Sequence, residues 1–132
     1  SGEQTDMVID FSFLKDEMMM HIDEPCDHGF IISVFDKELL KMFTPNTEDH
    51  EIWYKKVKDE VDTNYFFSSC NTNLDNKIYV IKHQPTAERL AQHWYKRLFD
   101  PIKIRSEGNA ILYKIRVWET PNCFADFINP NA

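Results

Sequence analysis

Between Ala87 and Val117 the apolar residues change period, and that change does most to limit what the chain can fold into. Ala87, Leu90, Ala91, Trp94, Tyr95 and Leu98 recur at helical spacing and predict the best helix in the sequence. Pro85 suits a first turn, Thr86 or Gln84 can cap it, and Glu88 complements the helix dipole. Asp100-Pro101 is expected to stop it, with Ile102 to Arg105 extended. Glu107-Gly108-Asn109 reads as a turn. Ile111, Tyr113, Ile115 and Val117 then alternate with Leu112, Lys114, Arg116 and Trp118, which predicts a strand with one apolar face. A turn over Glu119 to Asn122 returns the chain as an antiparallel partner, Cys123 to Ile128.

The earlier chain fits the same mixture. Asp10 can cap a helix on which Phe11, Leu14, Met18 and Ile22 share a face, and Pro25 is expected to end it. Met18-Met19-Met20 is better read as core filling and interface packing than as a soft-metal site, because three consecutive helical residues point three ways. Asp36 can cap a short helix carrying Leu39, Leu40, Met42 and Phe43. Residues 44–76 read as an insertion. Thr47 is expected to cap a helix through about Val61, with Trp53, Val57 and Val61 on one face, before a turn-rich stretch from Ser68. Ile78 to Ile81 reads as a short buried strand. Helices followed by a hairpin make an α+β chain of one domain, residues 1–132. A lone hairpin needs further strands, from chain upstream or from another subunit.

Composition removes several functional classes. A net charge of −7 argues against non-specific nucleic-acid binding. No apolar run approaches membrane-spanning length and no signal peptide is visible. Cys26, Cys70 and Cys123 show no metal-type spacing, so a reduced, cytoplasmic protein is expected. Ser1-Gly2, without Met, suggests a tag remnant or a chain whose true beginning lies upstream.

Asp27-His28 is the stretch with chemical promise, because an imidazole beside a carboxylate builds a general base near neutral pH. In isolation the same residues make a turn with a solvated histidine. Likewise Glu119 could read a ligand or simply turn the chain. His50 reads as a surface histidine, and His93 as lying at the edge of the helix stripe without chemistry.

Four ordered blocks decide among these readings: Met7 to Lys15, Asp27-His28, Pro85-Thr86-Ala87-Glu88-Arg89-Leu90-Ala91, and Leu112 to Thr120. Together they resemble the tetrahydropterin synthase family, which includes the 6-pyruvoyl- and 6-carboxy-tetrahydropterin synthases. The resemblance runs from about Gly2 to Phe127, interrupted by the 44–76 insertion. It implies a tunnelling fold, in which each subunit gives a four-stranded antiparallel sheet with two helices on one face. Subunits then close into trimers that stack as hexamers.

Carried over by resemblance, His28 transfers protons and Asp27 orients it. Glu119 holds the guanidine-like edge of the pterin, and Thr86 lines the pterin pocket from the helix start. The implied substrate is 7,8-dihydroneopterin triphosphate, and the implied enzyme is a zinc-dependent lyase. The implied product is 6-carboxy-tetrahydropterin, of queuosine biosynthesis. Alternatives are a 6-pyruvoyl-tetrahydropterin synthase of the tetrahydrobiopterin pathway and a non-catalytic pterin-binding or assembly member. The family's first two strands, with its three zinc-binding His and its Cys, have no counterpart in this sequence. Zinc ligands are therefore expected upstream of Ser1, and none of His21, His50, His83 or His93 takes their place. Cys26 is not expected to replace the family's Cys.

Overall fold

The structure is a computed structural model and describes residues 16–26 and 29–131, apart from the side chains of 119 and 120. A helical segment over 16–26, here α1, contains a π-helical turn at Met19–Asp23 and ends in Glu24–Cys26. It is followed by β1 (Phe30–Ser33), α2 (Lys37–Phe43), α3 (His50–Asn64), β2 (Phe66–Ser69) and β3 (Ile78–Ile81). The last elements are α4 (Ala87–Arg105), β4 (Lys114–Thr120) and β5 (Cys123–Ile128).

The α+β reading holds, but the strands of the described residues form two sheets. In the first, β3 lies between β1, to which it is parallel, and β2, to which it is antiparallel. The second is the antiparallel hairpin β4–β5. A single four-stranded antiparallel sheet is not present among the described residues. Part of the reason is β2, which the sequence hides: Ser68 and Ser69 read as turn residues, yet they pair with Tyr79 and Ile78.

β3 organises the core. All four of its residues are buried, and alternation sends Ile78 and Val80 to one face and Tyr79 and Ile81 to the other. Ile78 and Val80 pack with Leu40 and Phe43 of α2 and with Trp53, Val57 and Val61 of α3. The segment 44–76 thus supplies a large share of one core face. Tyr79 and Ile81 pack with Leu90 and Trp94 of α4, joined by Ile22 and Cys26 of α1. α1 and α4 thus pack on this face of β3, and α2 and α3 on the other. The hairpin lies along α4, with Leu112 and Ile115 against Leu98 and Ile102. Arg116 and Asp126 face each other across it in a two-bond ion pair, Nε–Oδ1 2.8 Å and Nη2–Oδ2 3.1 Å.

Several local expectations need correction. Pro101 does not stop α4, which runs on to Arg105. Proline removes one N–H from the helix, but Ile102 continues the buried stripe and its burial favours another turn. Ile102 to Arg105 is accordingly helical. α4 ends at Ser106, whose hydroxyl accepts from the Ala110 N–H at 3.0 Å, and Gly108 takes φ +81 in the turn beyond. Asp49, not Thr47, caps α3 by accepting from the Ile52 N–H. Pro25 lies within the last helical residues rather than after them. Met18, Met19 and Met20 are exposed, not core. β4 begins at Lys114 and includes Glu119 and Thr120, so the turn shrinks to two residues. Asp36 caps α2 as expected, accepting from the Leu39 N–H at 3.3 Å. The proposed Asp10 cap, Phe11 and Leu14 lie outside the described residues.

Candidate active site

Thr86 is the one proposed site residue whose side chain is described. It caps α4, its hydroxyl accepting from the Arg89 N–H at 3.2 Å. Thr86→Ala should cost about 1 kcal/mol through the lost cap, measurable as a lower midpoint in urea with the folded spectrum retained.

Asp27 and His28 lie outside the described residues, but both flanks are fixed. On one side the Lys77 ammonium donates to the Glu24 carbonyl at 2.8 Å, at the end of α1. On the other, the Gly29 N–H donates to the Cys26 carbonyl at 3.0 Å, and the Phe30 N–H to the Lys77 carbonyl at 2.9 Å. The approach is tight: a Cβ on Gly29 would meet the Lys77 carbonyl oxygen at 2.7 Å, so only glycine fits against that backbone. Glu119 belongs to β4, and its side chain is not described.

The backbone nevertheless relates these segments to one another. Cys26, next to Asp27, and Val117, two residues before Glu119, both pack on the cluster of Tyr79, Ile81, Leu90 and Trp94. Farther along α4, Leu98 and Ile102 meet Leu112 and Ile115. β4 therefore runs antiparallel to α4, with Val117 toward the Leu90 end of the helix. Cys26, Val117 and Leu90, each near one of the proposed segments in sequence, thus share one core cluster.

Two polar constructions beside that cluster were not legible in the sequence. Tyr79 and His93 share a 2.6 Å hydrogen bond between Oη and Nε2, with the Phe66 ring stacked on Tyr79 at 5.1 Å. Burial pushes the Tyr79 hydroxyl well above its ordinary range. His93 is lowered to about 4 by burial first, then by Arg97, His83 and Lys96. The other construction ties α1 to α4. Arg97 Nη2 donates to His21 Nδ1 at 3.1 Å, His21 Nε2 faces Glu17 Oε1 at 3.3 Å, and Glu17 Oε2 accepts from Arg105 at 2.8 Å. Glu17 is 6% exposed, although its neighbours read as the solvated face of a helix. A tyrosine inside the run Ile-Tyr-Val-Ile was the available clue, since a buried hydroxyl needs a partner.

His93 makes stability depend on pH. An unfolded histidine takes up a proton near pH 6.5, whereas the folded one does so only near 4. Stability is therefore retained above pH 6.5 and falls as pH drops toward 4, by roughly 2–3 kcal/mol at pH 4.5. Urea unfolding at pH 7 and pH 4.5 measures this, and His93→Gln should flatten the difference.

Cys26 offers no ready nucleophile. Burial and then Asp23 push its thiol up to about 11 against the pull of Lys77, so it stays protonated near neutrality. Among the described residues no three His, Cys, Asp or Glu side chains could hold a metal ion together. His21 and His93 are engaged as above, and His50 Nδ1 sits 3.0 Å from the Thr44 hydroxyl. No helix of the described residues is long and apolar enough to cross a membrane.

A family model described as 6-pyruvoyl tetrahydropterin synthase matches residues 1–130. The chain is 27% identical over 124 residues to the 6-carboxy-5,6,7,8-tetrahydropterin synthase of Rickettsia bellii, covering 94% of this chain and 69% of that protein. It is 28% identical over 120 residues to the enzyme of the same name from Rickettsia felis, covering 91% and 66%. For the Haemophilus influenzae protein of that name the identity is 27% over 127 residues, covering 96% and 68%. The chain thus spans about two-thirds of the length of these curated relatives. No solved structure gives a significant match.

Proposed function

Because the chain belongs to the 6-pyruvoyl tetrahydropterin synthase family, we propose that it is a lyase acting on 7,8-dihydroneopterin triphosphate to give 6-carboxy-tetrahydropterin, as in queuosine biosynthesis. The product assignment follows the names of its relatives. One observation supports the site most strongly: the flank of Asp27-His28 and the approach to Glu119 pack on one cluster beneath the N-terminal half of α4.

In this reading Glu119 accepts two N–H groups from the pterin's guanidine-like edge, which fixes the ring. Thr86, at the head of α4, lines the same pocket. His28 takes and returns the proton as triphosphate leaves the side chain, and Asp27 orients its ring. Zinc remains the proposed metal, with ligands other than the described histidines and cysteines.

We also propose self-association into trimers and hexamers. Its support is the hairpin, a two-stranded sheet on which Trp118, Phe124 and Ile128 stay exposed. The cytoplasm is the proposed compartment, consistent with three unpaired cysteines. Incubation of the full-length natural protein with 7,8-dihydroneopterin triphosphate tests the activity. Mass spectrometry should find 6-carboxy-tetrahydropterin. A 6-pyruvoyl product would move the protein to the other branch, and unconverted but bound pterin would make it a non-catalytic member.

A further inference from the structure

A cavity of about 650 Å³ lies where α4 passes the ends of β3 and α3. We propose that this cavity binds a phosphate-chain anion through Arg89, Lys96 and Arg97 of α4, with Lys82 and His83 at its rim.

The charge balance is the first support. Four Lys or Arg side chains line the cavity against two carboxylates, Asp62 and Asp100. That is an inversion within a chain of net charge −7. Lys82 is partly offset by Asp62 at 3.7 Å. Arg89 and Lys96 make no side-chain ion pair among the described residues. Arg97 stacks on Phe66 at 4.1 Å and gives one N–H to His21, while its buried Nε has no acceptor among the described residues. Arg89 and Lys96 are like charges with no ion-pair partner among the described residues, which opposes folding, and a multivalent anion relieves that cost.

Spacing is the second support. Arg89, His93 and Lys96 fall at i, i+4 and i+7 on α4, so all three come to one side of the helix. Seven residues at about 1.5 Å each put roughly 10 Å between the two ends. A single phosphate reaches one end only, whereas a chain of phosphates reaches both. The volume also falls in the usual range for small-molecule sites. This inference stands on the cavity and does not depend on the proposed reaction.

The test is calorimetric titration of the protein with inorganic triphosphate and, separately, with ATP, near 0.15 M salt. The expected result is saturable binding of triphosphate that weakens at least ~10-fold in the Arg89→Gln/Lys96→Gln double variant. Both residues are exposed, so the variant should keep its urea midpoint. The His93 imidazole, followed by NMR, should titrate at higher pH when triphosphate is bound. Equal binding of ATP would show that the phosphate chain suffices. Absence of saturable binding below about 1 mM, or equal affinity in the double variant, would overturn the proposal. So would binding of ATP without triphosphate, because the nucleoside would then be what is recognised.

Discussion

Replacing His28 with Ala is expected to lower turnover of 7,8-dihydroneopterin triphosphate by about a hundred- to ten-thousand-fold, the usual contribution of a positioned acid–base group. The loss should fall on kcat, because the proposed role of the imidazole is to move a proton and that of Glu119 is to hold the ring. Pterin affinity should stay within about threefold. Asp27→Asn should give a smaller loss, since the imidazole remains and only its orientation suffers. Steady-state kinetics on full-length protein carrying each change is the check. A His28→Ala protein with unaltered kcat would remove His28 from the chemistry and leave the family's fold without this catalytic role.

Trp53→Ala is expected to destabilise the protein by about 3–5 kcal/mol. Trp53 is 2% exposed and packs with Val57, Val61, Ile78 and Val80, with Phe67 edge-on at 6.1 Å. An alanine there leaves a cavity that helix α3 and the sheet cannot close without moving together. Such a loss is a large fraction of the stability of a small domain. Urea unfolding followed by fluorescence and circular dichroism measures it. A loss below about 1 kcal/mol would show that 44–76 rides on the surface instead of completing the core.

The residues that read well in the sequence were those whose partners are close along the chain. The stripe Ala87 to Leu98, the Asp36 cap, the β3 run and the return of the chain at Cys123 all follow from period and turn chemistry. Failures came where distant contacts decide. Ile102 is buried against the hairpin, and that overrides the local rule about Pro101. Glu17 is buried because Arg105, 88 residues away, meets it. His93 needs Tyr79 across the β3–α4 contact. β2 forms because β3 offers it a ladder, which its serines do not announce.

The candidate site was legible in a different way. Period and spacing alone left Asp27-His28 and Glu119 as possible turn residues, and their roles came from resemblance. What the fold adds is proximity. Cys26 and Val117 share a cluster although 91 positions separate them, a relation no local pattern carries. Thr86 is a cap in both accounts, and its hydroxyl proton stays available as a donor while the oxygen accepts from Arg89.

Pterin affinity of the full-length protein, measured with Glu119 in place and again in the Glu119→Gln variant, shows whether the end of β4 reads the ring. A neutral amide keeps the size of the side chain but can no longer accept both N–H groups. The dissociation constant should rise at least tenfold, about 1.4 kcal/mol or more, with the unfolding midpoint unchanged. Equal affinity in the two proteins would contradict this expectation and leave the hairpin without a role in binding.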